Sequence, residues 1–456
     1  MVIGADAAGM SAASQARKRR GPESLQIVAI DRGHHTSYSA CGIPYFVGGV
    51  VSDVDALIAR APEVFRNELA IDVRLRHEVT EIDLGRRAVL VHDLEGGGEK
   101  WEPFDQLMVG TGAVPIRPPL PGVEAAGIFG VQILDDGEAI HRFLADASPR
   151  RAVVVGGGYI GLEMAEALVM RGLDVTLVDA GAQPMAATLD PDMGALVADG
   201  LREIGVHHRP GERVEGFGTS AGRVREVQTS AGSLAADIVV LGLGVRPNVA
   251  LAEAAGIPLG PSGGIAVDRR MRTEIGGVWA GGDCVESVHR VSGRPVVVAL
   301  GTHANKQGRV AGINLGGGYA TFPGVVGTAI SKICAVEVAR TGLTEAEAAE
   351  AGFDHLAVVV ASTTRAGYYP GAAPMRTKIV AERRSGRLLG AQVVGAEGAA
   401  KRIDALAVAL WNQMTVEQMS GLDLAYAPPF SPVWDPVLIA VRKAAEAVEE
   451  SMAACK

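Results

Sequence analysis

The sequence predicts an α/β protein built from two doubly wound strand–helix domains and a third domain of different character. Three observations carry this expectation. Strand–glycine loop–helix signatures begin at Val2 and again at Ala152. Three further apolar runs, ending at Gly110-Thr111-Gly112, Leu243-Gly244 and Gly281-Gly282-Asp283, each pass directly into a glycine turn. From about Phe322 the pattern changes to Val- and Ala-rich strands and then a helical tail. A chain of 456 residues is also too long for one ordinary core. Its 59 glycines fall between apolar runs, as tight strand-to-helix turns require, and not in low-complexity tracts.

The first signature reads Val2-Ile3-Gly4-Ala5-Asp6-Ala7-Ala8-Gly9, followed by a small-residue helix from Met10 to Ala16 and a strand from Leu25 to Ile30 that ends in Asp31. Gly4 permits the tight turn, and Gly9 lets the helix approach the strand. The helix N-terminus then faces a pyrophosphate, and Asp31 is placed to take adenosine ribose hydroxyls. Asp6 stands where a middle glycine is usual, so its side chain must turn away from the phosphates or be protonated. The second signature is complete. Ala152–Val155 is a buried strand, Gly156-Gly157-Gly158-Tyr159-Ile160-Gly161 the loop, Leu162–Met170 the helix, and Val175–Val178 the next strand, ending in Asp179. No arginine closely follows Asp179 to receive a 2′-phosphate, so the loop reads as a site for NAD(H) in preference to NADP(H).

Net charge is −9, which disfavours nucleic-acid binding. The cysteines at 41, 284, 334 and 455 include no CxxC pair, and isolated thiols suit a reducing compartment. No apolar run reaches the roughly 18 residues of a membrane span, and Met1 runs into a strand without a charged leader. The expectation is a cytoplasmic enzyme with no membrane or nucleic-acid partner. His34-His35 and His207-His208 lack ligand spacing, so no metal is expected.

Taken in order, the two glycine loops, the Gly-Thr-Gly segment and the Gly-Gly-Asp segment resemble the pyridine nucleotide-disulfide oxidoreductases, the two-dinucleotide-binding flavoproteins, over essentially the whole chain. The resemblance implies two Rossmann-like domains and a C-terminal α+β dimerisation domain. FAD would occupy residues 1–117 and 245–320, NADH residues 118–244, and subunit pairing would fall to 321–456. It assigns FAD contacts to Gly4, Ala8, Gly9, Asp31, Thr111, Gly112, Gly282, Asp283 (on the ribityl chain) and Ala304. The NADH contacts are Gly156, Gly158, Tyr159, Ile160, Gly161, Glu163 and Asp179. Tyr159 resembles the tyrosine that gates the nicotinamide pocket, or it is a loop aromatic packed on the sheet. Glu163 stands near the nicotinamide or serves its helix dipole. The helix opening at Gly301 would aim its N-terminus at the flavin pyrimidine.

Ser37-Tyr38-Ser39-Ala40-Cys41-Gly42-Ile43-Pro44-Tyr45, with Tyr368-Tyr369-Pro370-Gly371 and Tyr426-Ala427-Pro428-Pro429, is similar to the coenzyme A-disulfide reductases and related persulfide reductases. That likeness implies one working thiol, Cys41, and two tyrosines reaching it from the partner subunit of a homodimer. These align with Tyr368 (Tyr369 is the alternative) and Tyr426. It further implies coenzyme A contacts at Gln15, Arg17, Lys18 and Ser37, while Ala40 departs from the asparagine often found there. A single cysteine suffices if a mixed disulfide with a small thiol is the resting oxidised state. A tyrosine hydroxyl can then protonate the departing thiolate. The Gly-Ile-Pro-Tyr that follows Cys41 opens a helix, whose N-terminus should lower the thiol pKa. Cys284, Cys334 and Cys455 read as core or surface thiols. Two other functions remain open: an NADH oxidase cycling through a cysteine sulfenic acid, and a flavin-linked redox partner or sensor.

Overall fold

A computed structural model describes residues 1–454; Cys455 lies outside the described residues. The strand Val2–Ile3 pairs in parallel with Ile27–Ile30 and Leu107–Val109, and Ile71–Arg74 and Val278–Ala280 complete a five-stranded parallel sheet. Leu107, Met108 and Val109 have no exposed surface, as expected of parallel strands covered on both faces. The helix Ala7–Arg19 packs on this sheet and along the helix Gly301–Leu315. Small residues allow the two helices to touch backbone to backbone. A Cβ on Gly308 would lie 2.2 Å from the Ala8 carbonyl oxygen, and one on Gly312 2.2 Å from that of Ala12. The expected helix, Met10–Ala16, is thus the centre of a longer one, with Asp6 at its N-cap and Arg17-Lys18-Arg19 in its last turn.

The second parallel sheet runs His207–Pro210, Asp174–Asp179, Arg151–Val155, Ile238–Leu241, Ile128–Gly130. Each doubly wound unit is accompanied by a three-stranded antiparallel meander, at 77–103 and 214–235, that the sequence did not reveal. Bulges at Val79/Glu81 and Val214/Gly216 interrupt the alternation by which such strands are recognised. The chain passes between the two units through Ala113–Pro115 and Val245–Pro247, which pair antiparallel. There Thr111 Oγ1 donates to the Asn248 carbonyl at 2.7 Å, and the Asn248 N–H donates to Gly112 at 2.9 Å.

The third unit is an antiparallel sheet ordered Ala329–Ile333, Val336–Gly342, Leu388–Gly395, Pro374–Glu382, His355–Thr363. The helices Ile403–Trp411 and Pro436–Ala454 cover it. This is the α+β unit expected from the change of pattern near Phe322. No helix of the described residues is long and apolar enough to cross a membrane.

Candidate active site

The two glycine loops have the same construction. Gly4 sits at φ +93° with its missing Cβ 2.1 Å from the Gly110 oxygen, and Gly156 at φ +102° with its own 2.5 Å from the Gly242 oxygen. A Cβ on Gly9 or on Gly161 would lie 1.9 Å from the carbonyl oxygen of Gly4 or Gly156 respectively, so only glycine lets each helix start this close to its strand. At Gly158, by contrast, a Cβ would meet nothing within 4 Å, and that side of the second loop is open to a ligand.

Both acids point at their loops. Asp31 accepts from the Ala5 N–H at 2.7 Å and the Gly33 N–H at 2.8 Å, and burial pushes its pKa up. Asp179 accepts from Gly181 N–H at 3.0 Å and stands so close to Gly157 that a Cβ there would lie 2.2 Å from its carboxylate. Asp6 turns toward the following loop and accepts from the Tyr38 N–H at 3.3 Å. Burial, with Asp31 and Asp283 nearby, pushes it up to about 6. The side chain is thus turned away, the first of the two ways of reconciling it with a pyrophosphate, and its raised pKa eases the second.

Asp283 follows Gly282, whose N–H donates to Gln307 Oε1 at 2.8 Å. Its Oδ1 is buried without a hydrogen-bond partner, and burial raises the carboxyl to about 6. A buried, unpartnered acceptor is costly unless a ligand hydroxyl reaches it. This orphan oxygen fits the ribityl role expected of Asp283. Ala304 is buried in the first turns of the helix Gly301–Leu315. His303 beside it has a buried, unpartnered Nδ1, and burial lowers it to about 4, so its imidazole is neutral.

Cys41 lies in the 3-10 turn Ala40–Gly42, between Thr36 and Tyr38, which bond Ala5 and Asp6 of the first loop, and the short helix Ile43–Val47, which packs on the helix after the second loop. The short helix is wedged onto the second unit. Phe46 stacks on His141 at 4.7 Å, and Gly48 abuts Ala167. The thiol is solvent-accessible, whereas Cys284 and Cys334 are buried. The expected low pKa is not found. Crowding by protein atoms and then the Glu163 carboxylate push the thiol up, Asp283 adding to the effect, and a five-residue helix does not offset them. Glu163 and Glu166 are the acids of the otherwise apolar helix Tyr159–Met170. Ser331 Oγ donates to Glu163 at 2.6 Å, and the Cys334 N–H donates to Glu166 at 2.8 Å. Burial pushes Glu163 up as well. Tyr45, four residues after the cysteine, shares this environment and is raised by burial and by both glutamates. Sequence reasoning missed Glu166 and Ser331, although acids on an apolar helix were a usable signal.

Tyr159 is half-buried in the second loop, its hydroxyl enclosed near Thr188 and Arg340. Tyr368 and Tyr426 come together on the third unit, 78% and 45% exposed. Desolvation and the neighbouring Tyr368 hydroxyl raise Tyr426. Of the residues expected to meet coenzyme A, Lys18 is exposed, Gln15 and Ser37 are half-buried, and Arg17 is turned inward. Its guanidinium donates to the carbonyls of Leu69, Leu25 and Ala70 at 2.7, 2.7 and 2.9 Å. Arg17 holds loop ends together, and most of its donors are committed to main-chain carbonyls. The structure also gives His35 partners its sequence neighbours lacked: its Nε2 and oxygens of Asp135 and Glu138 lie within 4.8 Å of one another.

Two dinucleotide cradles with one accessible thiol between them define a two-cofactor redox enzyme working on sulfur. The chain belongs to the pyridine nucleotide-disulphide oxidoreductases: residues 1–308 match that family's model, and residues 328–436 match the model of its dimerisation domain. A Pyrococcus abyssi protein named NAD(P)H sulfur oxidoreductase (CoA-dependent) is 40% identical over 445 residues, 97% of either chain. A Staphylococcus epidermidis coenzyme A disulfide reductase is 31% identical over 433 residues, covering 94% of this chain and 96% of that one. The solved structure of an NAD-dependent persulfide reductase from A. fulgidus superposes with a TM-score of 0.95 at 40% identity, over 98% of this chain and 83% of that one.

Proposed function

We propose that the chain is an FAD-dependent NADH:disulfide oxidoreductase that reduces coenzyme A disulfide, coenzyme A persulfide or a similar low-molecular-weight substrate through Cys41. The observation that carries this reading is the accessible Cys41 thiol between the two dinucleotide loops, with the other described cysteines buried. The similarity to coenzyme A-dependent relatives supports the substrate class.

FAD, when bound, supplies the two-electron link between NADH and sulfur. The first loop, Asp31, Thr111, Gly112, Gly282, Asp283 and Ala304 would hold it. Gly156, Gly158, Ile160, Gly161 and Asp179 would hold NADH, with Tyr159 and Glu163 toward the nicotinamide. Cys41, as the thiolate, attacks one sulfur of the substrate disulfide; an S–S bond forms to Cys41 as the substrate S–S bond breaks, and one thiolate leaves. Two electrons and two protons later, the second thiol has left, Cys41 is free again, and NADH, H⁺ and one disulfide have become NAD⁺ and two thiols. A thiol whose pKa is raised leaves poorly from a disulfide. The Cys41 environment therefore favours the mixed disulfide as the resting oxidised state.

The protons are assigned to Tyr368 and Tyr426 of the partner subunit in a cytoplasmic homodimer. Support comes from the dimerisation-domain match and from the exposed Phe430, Val433 and Trp434 beside Tyr426 in the chain. Gln15, Lys18 and Ser37 remain the proposed coenzyme A contacts, without Arg17. The test is Cys41→Ser, which should keep FAD and its reduction by NADH but lose disulfide turnover. A variant retaining most of that turnover would refute the reading.

A further inference from the structure

Lys378 stands in the middle of the strand Pro374–Glu382, with 3% of its side chain exposed. Its ammonium meets Glu345 of its own unit at 2.5 Å, but also Asp190 at 3.2 Å and Asp192 at 2.8 Å, both at the start of the helix Pro191–Glu203 of the second unit. Gln392, directly opposite Lys378 in the sheet, adds a reciprocal pair. Its Nε2 donates to Asp190 Oδ2 at 2.7 Å, and its Oε1 accepts from the Asp190 N–H at 2.9 Å. Asp190 occupies the N-cap position of its helix yet makes no capping bond. Its buried carboxylate is given over to the third unit instead.

From Asp190 a continuous set of hydrogen bonds leads back to the coenzyme loop. The N–H groups of Leu189 and Thr188 donate to the Met185 carbonyl at 2.9 and 2.8 Å, and the Met185 N–H donates to Gly157 at 2.7 Å. Met185 is buried and holds a left-handed backbone at φ +59°, a conformation that persists only where its surroundings hold it. Gly157 in turn lies against Asp179, and the enclosed Tyr159 hydroxyl faces Thr188. Gly157 beside Asp179, and Tyr159 at the proposed nicotinamide end, are thus linked within a few residues to one buried lysine of the third unit.

We infer that Lys378, with Asp190 and Gln392, is a positioning cluster for hydride delivery. The third unit sets the approach of NADH in its own chain, in addition to any part it has in pairing subunits. An apolar contact could hold the two units together equally well, but it would not fix their register. A lysine shared among three carboxylates is directional, and it is satisfied in one arrangement. This inference rests on the reading that the second glycine loop carries NADH.

The test is rapid-mixing kinetics on the FAD-loaded enzyme, with the two half-reactions measured separately. In Lys378→Met, flavin reduction at saturating NADH should slow at least tenfold. Re-oxidation of the dithionite-reduced variant by disulfide should stay within twofold of the parent. The double variant Lys378→Met/Asp190→Leu, which removes the stranded buried carboxylate, should regain thermal stability without regaining the rate of flavin reduction. If Lys378→Met does not fold, Gln392→Leu removes both bonds to Asp190 while keeping the lysine, and should slow the same step. Parent-like flavin reduction in a folded variant would overturn the inference, as would equal slowing of both half-reactions or recovery of rate together with stability. If NADH failed to reduce the parent flavin at all, the coenzyme assignment would fall, and the inference with it.

Discussion

Asp283 separates the needs of folding from those of cofactor binding, and Asp283→Asn should move them in opposite directions. The carboxyl is raised from an ordinary 3.8 to about 6 because burial disfavours its charge, and its Oδ1 has no partner. The folded chain therefore binds this proton more tightly than the unfolded chain. The stabilising contribution is complete below the unfolded pKa near 4 and is lost as pH rises through about 6. The difference corresponds to about 3 kcal/mol, an upper figure for an acid that is not wholly enclosed. Asparagine keeps the shape without the charge, so the FAD-free variant should resist urea better than the parent at pH 7.5 by up to about 3 kcal/mol. The advantage should shrink toward zero by about pH 4. FAD affinity should fall, because a charged acceptor is lost; about 1.5–3 kcal/mol makes that roughly 10- to 100-fold in Kd. Urea unfolding at the two pH values and flavin fluorescence titration measure both effects. A variant less stable than the parent at pH 7.5, or equally advantaged at both pH values, would refute the reasoning about burial. Unchanged FAD affinity would refute the assignment of the orphan oxygen.

Three further outcomes follow from the same geometry. Because Glu163 helps hold the Cys41 thiol up, Glu163→Gln should speed iodoacetamide alkylation of Cys41 severalfold at pH 7.5 and shift the pH profile downward, as read by peptide mapping; an unchanged profile would detach Glu163 from the thiol. Since Asp179 lies against its glycine loop, kcat/KM should favour NADH over NADPH, and a measured preference for NADPH would contradict that placement. If Tyr426→Phe is severely impaired alone, mixing it with Cys41→Ser subunits under verified exchange should restore activity, because half the sites in each mixed dimer become complete; no rise would place Tyr426 outside the partner's site.

What the sequence made legible is local. The spacing of Gly4 with Gly9, and of Gly156 with Gly161, encodes a contact between residues five apart, so chain order alone reveals it. The neighbours of Cys41 announce it in the same way. What stayed hidden comes from distant segments. Ser331 reaches Glu163 across 168 residues, and Lys378 reaches Asp192 across 186. The pKa of Cys41 was misjudged for that reason: a helix N-terminus is visible in sequence, whereas the burial and then the carboxylates that oppose it arrive only with the fold. The inward turn of Arg17 was hidden differently. A cation in the last turn of a helix usually faces solvent, but here the ends of neighbouring loops offer it carbonyls. Such pairing depends on tertiary placement that no local pattern records.

The central claim is that one thiol, Cys41, carries the substrate as a mixed disulfide that NADH resolves. Intact-mass analysis of the unreduced enzyme after incubation with coenzyme A disulfide tests it most directly. The account predicts one coenzyme A adduct per chain, mapped to Cys41, absent from Cys41→Ser and removed by NADH under anaerobic conditions. An adduct on another cysteine, an adduct that NADH leaves in place, or full disulfide turnover without any adduct at Cys41 would contradict it.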